Sequence, residues 1–123
     1  IFGLQAKLSR LTVTSGRSSP GSGGGITSVG VVTLEDCVVS DNVGGYGGGI
    51  FVVNDTELTL INTTVTNNTA STELPDDGIG GGLFNRGLVT LINSSITGNT
   101  AELAGTDNCY SEAEGVITGS GCG

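Results

Sequence analysis

Four nine-residue segments of this chain align without gaps: LSRLTVTSG (residues 8–16), LEDCVVSDN (34–42), LINTTVTNN (60–68) and LINSSITGN (91–99). The first column holds Leu8, Leu34, Leu60 and Leu91. The sixth holds Val13, Val39, Val65 and Ile96, and the ninth holds Gly16, Asn42, Asn68 and Asn99. Successive copies start 26, 26 and 31 residues apart. A weaker fifth copy is Val116-Ile117-Thr118-Gly119. A unit this short cannot bury its apolar face alone, so it must stack on its neighbours.

Between the copies lie three glycine triplets: GGGIT (23–27), GGGIF (47–51) and GGGLF (80–84). The aliphatic residue closing each triplet precedes a sixth-column residue by 13, 15 and 13 positions, in the pairs Ile26–Val39, Ile50–Val65 and Leu83–Ile96. Asn54-Asp55 and Asn85-Arg86-Gly87 supply turns with the residue types turns favour. Within the nine-residue segment, period-two alternation breaks between columns one and four. A corner is therefore predicted at column three: Arg10, Asp36, Asn62 and Asn93. The ninth-column asparagines read as a further corner ladder, their amides bonding between repeats.

Glycine supplies 23 of 123 residues, and Thr, Ser, Asn and Val dominate the remainder. That is a strand-and-turn composition, poor in helix formers. The expected fold is all-β: one domain over residues 1–123, built as a single-stranded parallel β-helix of about five coils. A loop insert near 70–79 and an irregular closing segment over 104–123 complete it. The glycine triplets would sit where backbones approach closely and φ turns positive, with Ile26, Ile50 and Leu83 pointing inward. The leucine-rich pattern LxxLxLxxN is not sustained, and a β-sandwich would not need columns aligned at this period.

Asn42-Val43-Gly44 before Gly47-Gly48-Gly49-Ile50-Phe51, and Asn68-Thr69-Ala70 before Gly81-Gly82-Leu83-Phe84, resemble the FxxN and GGAI repeats of chlamydial polymorphic outer membrane proteins and of related bacterial surface proteins. The tail Gly105-Thr106-Asp107-Asn108-Cys109 is similar to segments that close such repeat blocks. Val39, Val65 and Ile96 stand where that pattern has Phe. The resemblance implies right-handed winding and an extracellular structural or adhesive surface, with no defined chemistry.

Candidate chemistry is sparse. Histidine is absent, which removes the commonest general base and metal ligand. The net charge is −8, with four Lys and Arg in all and no basic cluster, which excludes nucleic acid as a partner. No apolar run reaches transmembrane length, so direct membrane insertion is not expected. Polysaccharide-cleaving enzymes need acids clustered on one strand face. Here Glu35, Asp36, Asp41, Asp55, Glu57, Asp76, Asp77 and Asp107 are scattered over corners and loops. No enzyme activity, cofactor or metal is expected, and Asp76-Asp77 is the best candidate for Ca²⁺. Outward rows Thr12/Thr14, Thr64/Thr66 and Ser95/Thr97 resemble ice-binding arrays, but Val38/Ser40 interrupts them.

Cys37 occupies an inward column and reads as a buried thiol. A disulfide between Cys109 and Cys122 would tie down the last coil and imply an oxidising compartment; the alternative is two free or intermolecular cysteines. Four sequons, at Asn54, Asn62, Asn67 and Asn93, could carry glycans, and Asn62 and Asn93 share one corner column. Five coils at about 4.8 Å give a stack of roughly 24 Å. Neither end carries a capping helix, and residues 1–4 already read as strand. The chain is therefore expected to be either a piece of a longer surface protein or a subunit that stacks end to end into a filament or surface layer. The alternative role is an adhesin or autotransporter passenger fragment, with a carbohydrate or host-surface ligand. Ice binding and carbohydrate-active chemistry are the lesser readings.

Overall fold

A computed structural model describes residues 5–18, 22–71, 78–112 and 114–123. The strand expected over residues 1–4 and the Asp76-Asp77 pair lie outside these. The described residues contain strands and turns and no helix. The strands are β1 (Gln5–Ser9), β2 (Thr12–Thr14), β3 (Ile26–Ser28), β4 (Val31–Glu35), β5 (Val38–Ser40), β6 (Val43–Gly44), β7 (Ile50–Val52) and β8 (Glu57–Ile61). They continue as β9 (Thr64–Thr66), β10 (Thr69–Ala70), β11 (Leu83–Asn85), β12 (Leu88–Ile92), β13 (Ser95–Ile96), β14 (Thr100–Ala101), β15 (Cys109–Ser111) and β16 (Val116–Thr118).

Four sheets result, and every strand pair in them is parallel. Sheet I runs β1-β4-β8-β12-β16, sheet II β2-β5-β9-β13, sheet III β6-β10-β14 and sheet IV β3-β7-β11-β15. The chain visits them in the cyclic order I, II, III, IV and then returns to I. In its first passage the third position holds a single bridge, Arg17 to Val43. A parallel strand needs a crossover to reach its partner. Here the crossover is made by strands of the other sheets.

The register matches the sequence columns residue for residue. Leu8, Leu34, Leu60 and Leu91 are direct neighbours across sheet I. Val13, Val39, Val65 and Ile96 are neighbours across sheet II. Ile26, Ile50, Leu83 and Cys109 line up across sheet IV. These columns meet in one apolar cluster, with Leu34, Val39, Ile50, Leu60, Val65, Leu83 and Ile96 fully buried.

The corners follow from backbone chemistry. Arg10, Asp36, Asn62 and Asn93 all take left-handed conformations, with φ between 48° and 54°. Asn and Asp tolerate this region better than most side chains. A second corner falls one column earlier than the sequence indicates. It is column eight, Ser15, Asp41, Asn67 and Gly98, that takes φ from 58° to 70°. That turn sends column nine inward: Asn42, Asn68 and Asn99 are buried. The amides of Asn68 and Asn99 are used completely. Asn68 Nδ2 donates to Asn99 Oδ1 at 3.0 Å and to the Val39 carbonyl at 2.9 Å. Its Oδ1 accepts from the Asn42 backbone N–H at 3.1 Å and from Asn42 Nδ2 at 2.9 Å. Asn99 passes the ladder on to Asn108 Oδ1 at 3.2 Å.

The glycine triplets now have separate causes. The first glycine turns the chain, with φ of 66° at Gly47 and 69° at Gly80. The second sits against backbone: a Cβ on Gly48 would strike the carbonyls of Thr69 and Gly81. The third leaves room for the ladder, since a Cβ on Gly49 would lie 2.9 Å from Asn68 Nδ2, and one on Gly82 would lie 2.7 Å from Asn99 Nδ2. The segment 104–123 is less irregular than its sequence implies. It contributes β15 and β16 in register with β11 and β12.

Candidate functional site

Three kinds of feature are candidates: the exposed corners, the terminal strands and the last level of the stack. All four sequon asparagines are exposed and stand at or beside corners. Asn62 and Asn93 lie one above the other, and Asn93 Nδ2 donates to Asn62 Oδ1 at 2.6 Å. Asn67 Nδ2 donates to Asp41 Oδ1 at 3.2 Å. Asn54 precedes Asp55, whose φ is 59°, and the threonine of that sequon, Thr56, is buried. So the structure brings Asn62 and Asn93 together and leaves Asn54 and Asn67 apart from them.

Cys109 and Cys122 form a disulfide, with Cα atoms 6.0 Å apart. Their places in the fold explain the pairing. Cys109 stands in the column of Ile26, Ile50 and Leu83. Cys122 forms a parallel bridge with Ile96, which puts it in the column of Val39 and Val65. One level below, Leu83 and Ile96 fill the same two places with aliphatic packing, also 13 residues apart. The last level among the described residues therefore replaces an apolar pair by a covalent one. Cys37 is free and buried, its thiol near the Glu35 carbonyl at 3.3 Å.

The terminal strands carry open edges. Among the described residues each of β1, β2 and β3 has a strand partner on one side only, as do β14, β15 and β16 at the other end. Leu8, Val13 and Ile26 are half-buried where their counterparts one level in are nearly or fully buried.

Among the described residues the carboxylates do not assemble. Glu35 pairs with Lys7 at 2.7 Å, and Glu112 takes both Nε and Nη2 of Arg86, at 2.8 and 3.2 Å. Among the described residues no three of His, Cys, Asp and Glu gather into a group able to hold a metal ion. The outward Thr rows stand as the sequence places them, with Thr12, Val38, Thr64 and Ser95 in one line across sheet II.

One cluster escaped the sequence reading. Phe51 and Phe84 follow the inward Ile50 and Leu83, so alternation turns them outward, yet both are buried. Tyr46 covers them, with its ring centroid 4.8 Å from Phe84, and Tyr110 extends the stack at 5.2 Å. The Arg86 guanidinium lies 5.1 to 5.5 Å from the rings of Tyr46, Phe51 and Phe84. The adjacent positions of Phe51 and Phe84 in the triplet motif were the available signal. What was invisible was the cover. Phe51 and Phe84 therefore serve as packing beneath the half-buried Tyr46 and beside the half-buried Tyr110.

No protein-family model, no curated protein and no solved structure matches this chain.

Proposed function

We propose that the chain is a right-handed parallel β-solenoid of about five coils, with a non-enzymatic structural role outside the cell. In this reading it is the subunit of a filament or surface layer, and copies join end to end, the coil at one end adding to the coil at the other. The observation that carries it is the pair of open ends. Among the described residues the outer edges of β1, β2 and β3, and of β15 and β16, carry no strand partner, while the outer edge of β14 is partly occupied by the Asp107 carboxylate, which accepts from the Ala101 N–H at 2.8 Å. Such edges template further strands unless they are blocked. A head-to-tail contact that does not close yields a filament. The cyclic strand order supports the solenoid, and the Cys109–Cys122 disulfide supports an oxidising compartment.

Negative-stain microscopy with size-exclusion chromatography tests the reading. Filaments whose axial repeat is about 24 Å, five levels at strand spacing, are the expected result. Discrete monomers at all concentrations would overturn it. They would favour the second reading, an adhesin or autotransporter passenger segment, whose supporting observation is a neutral polar cleft at the corner of the last level.

A further inference from the structure

That cleft comes from a shortcut in the chain. Between Thr90 in sheet I and Ile96 in sheet II, five residues turn the corner. Thr90 pairs with Thr118 and Ile96 with Cys122, so on the last level only three residues, 119–121, make the same passage. Gly119 and Gly121 allow the cut, with φ of 102° and 127°. The corner of the last level therefore fails to cover the corner beneath it. A shallow cleft of about 480 Å³, open to solvent, remains beside it.

Its walls are neutral and polar: Asn62, Thr64, Asn93, Ser94, Ser95 and Ser120, with Gly121 as a further edge. The amide contact between Asn93 and Asn62 commits one N–H and one oxygen. It leaves the Asn62 amide protons and the Asn93 oxygen open. Ser94 Oγ donates to the Ile92 carbonyl at 3.0 Å and accepts from the Thr63 N–H at 3.0 Å. The hydroxyls of Thr64, Ser95 and Ser120 make no hydrogen bond to any described residue, and each can both donate and accept. The Gly121 carbonyl is held by the Ile96 N–H at 2.7 Å, next to the disulfide-bound Cys122, so the edge is fixed.

We propose that this cleft binds one residue of a neutral saccharide. Uncharged amides and hydroxyls that can donate and accept suit vicinal hydroxyls, and a chain of net charge −8 repels uronates and sulfated sugars. No aromatic ring lines the cleft, so affinity for a free monosaccharide is in the millimolar range, about 10 mM. The sugar has two possible sources: a soluble glycan, or the first residue of a glycan on Asn62 or Asn93, both sequon asparagines in the cleft wall. The inference rests on the corner geometry and is independent of end-to-end association.

The test is an NMR titration of the ¹⁵N-labelled chain, made in a host without N-glycosylation, with glucose, mannose, galactose and N-acetylglucosamine. Shifts confined to the amides of Thr64, Asn93, Ser94, Ser95, Ser120 and Gly121 are expected for at least one sugar, with none for glucuronate. Thr64→Val with Ser95→Ala should weaken that binding about tenfold, and inserting Asn-Ser after Ser120 to restore the full corner should abolish it. The same spectra report whether each variant is folded. Glycopeptide mass spectrometry of chain from a glycosylating host separates the sources. An occupied Asn62 or Asn93 that suppresses the free-sugar shifts assigns the cleft to the tethered glycan; shifts that persist assign it to a soluble one. No shift with any neutral sugar and no suppressing glycan, or equal shifts with glucuronate, would overturn the proposal.

Discussion

Two stacks of asparagine run along this molecule, and they behave oppositely. Asn42, Asn68 and Asn99 are buried, with every amide proton and oxygen of Asn68 engaged. Asn62 and Asn93 are exposed, share one bond and keep their remaining polar atoms free. The residue type is the same, and so is the offset of 31 between Asn68 and Asn99 and between Asn62 and Asn93. What differs is the corner. The column-three asparagines are the corner, with φ of 48°, and point away from the core. The column-nine asparagines follow a corner and point into it. A buried amide must be fully paired, so the inner stack is structural; an exposed one is available to ligands and to modification.

Breaking the inner stack should have the largest effect. Asn68→Ala strips partners from the Asn42 N–H, an Asn42 amide proton and the Val39 carbonyl, all in the interior. At about 1–3 kcal/mol for each unsatisfied group, we expect a loss of about 4 kcal/mol in urea unfolding. A loss under about 1 kcal/mol would show that water replaces the amide. Next comes the covalent level. Replacing Cys109 and Cys122 together by Ser should cost about 3 kcal/mol, the scale for closing a loop of this size. Hydrogen exchange should place the loosening in β15 and β16 and spare β7 to β9, because a stacked repeat contacts only its neighbours.

Gly49→Ala sharpens the link between triplet and ladder. Its Cβ would meet Asn68 at 2.9 Å and the Gly82 carbonyl at 2.8 Å, so we expect a loss of about 1–3 kcal/mol. In the Asn68→Ala background that loss should shrink, which a double-mutant cycle would read as coupling. The smallest change belongs to the outer stack. Asn93→Gly keeps the left-handed backbone accessible and removes only an exposed bond, so stability should move by no more than about 0.5 kcal/mol in thermal unfolding. A large loss there would mean that the outer stack is structural after all.

Much of this was legible in the sequence because a stacked repeat writes its register into the chain. Columns of Leu and of Val or Ile in the aligned segments are direct strand neighbours. The corner at Arg10, Asp36, Asn62 and Asn93 was marked by a break in alternation and by residues that accept positive φ. The second corner was displaced by one column, since Asn at position nine looks like a turn residue whether it turns the chain or braces the turn from inside. Leu11 shows a related limit. It shares column four with the buried Cys37 and Thr63, yet it is 47% exposed, because no level lies beyond it among the described residues.

The sequence by itself determined the repeat, the all-β character, the parallel register and the aliphatic columns, because period and residue type are local properties and stacking multiplies them. Only the tertiary structure decided which asparagines face inward, that Cys109 and Cys122 meet across the last level, and that Tyr46 and Arg86 close over Phe51 and Phe84. It also decided that three residues cut a corner where five turn it below, opening a cleft. These depend on the angle at which each corner sends the chain and on which side chains lie across it, and neither is written in any single repeat.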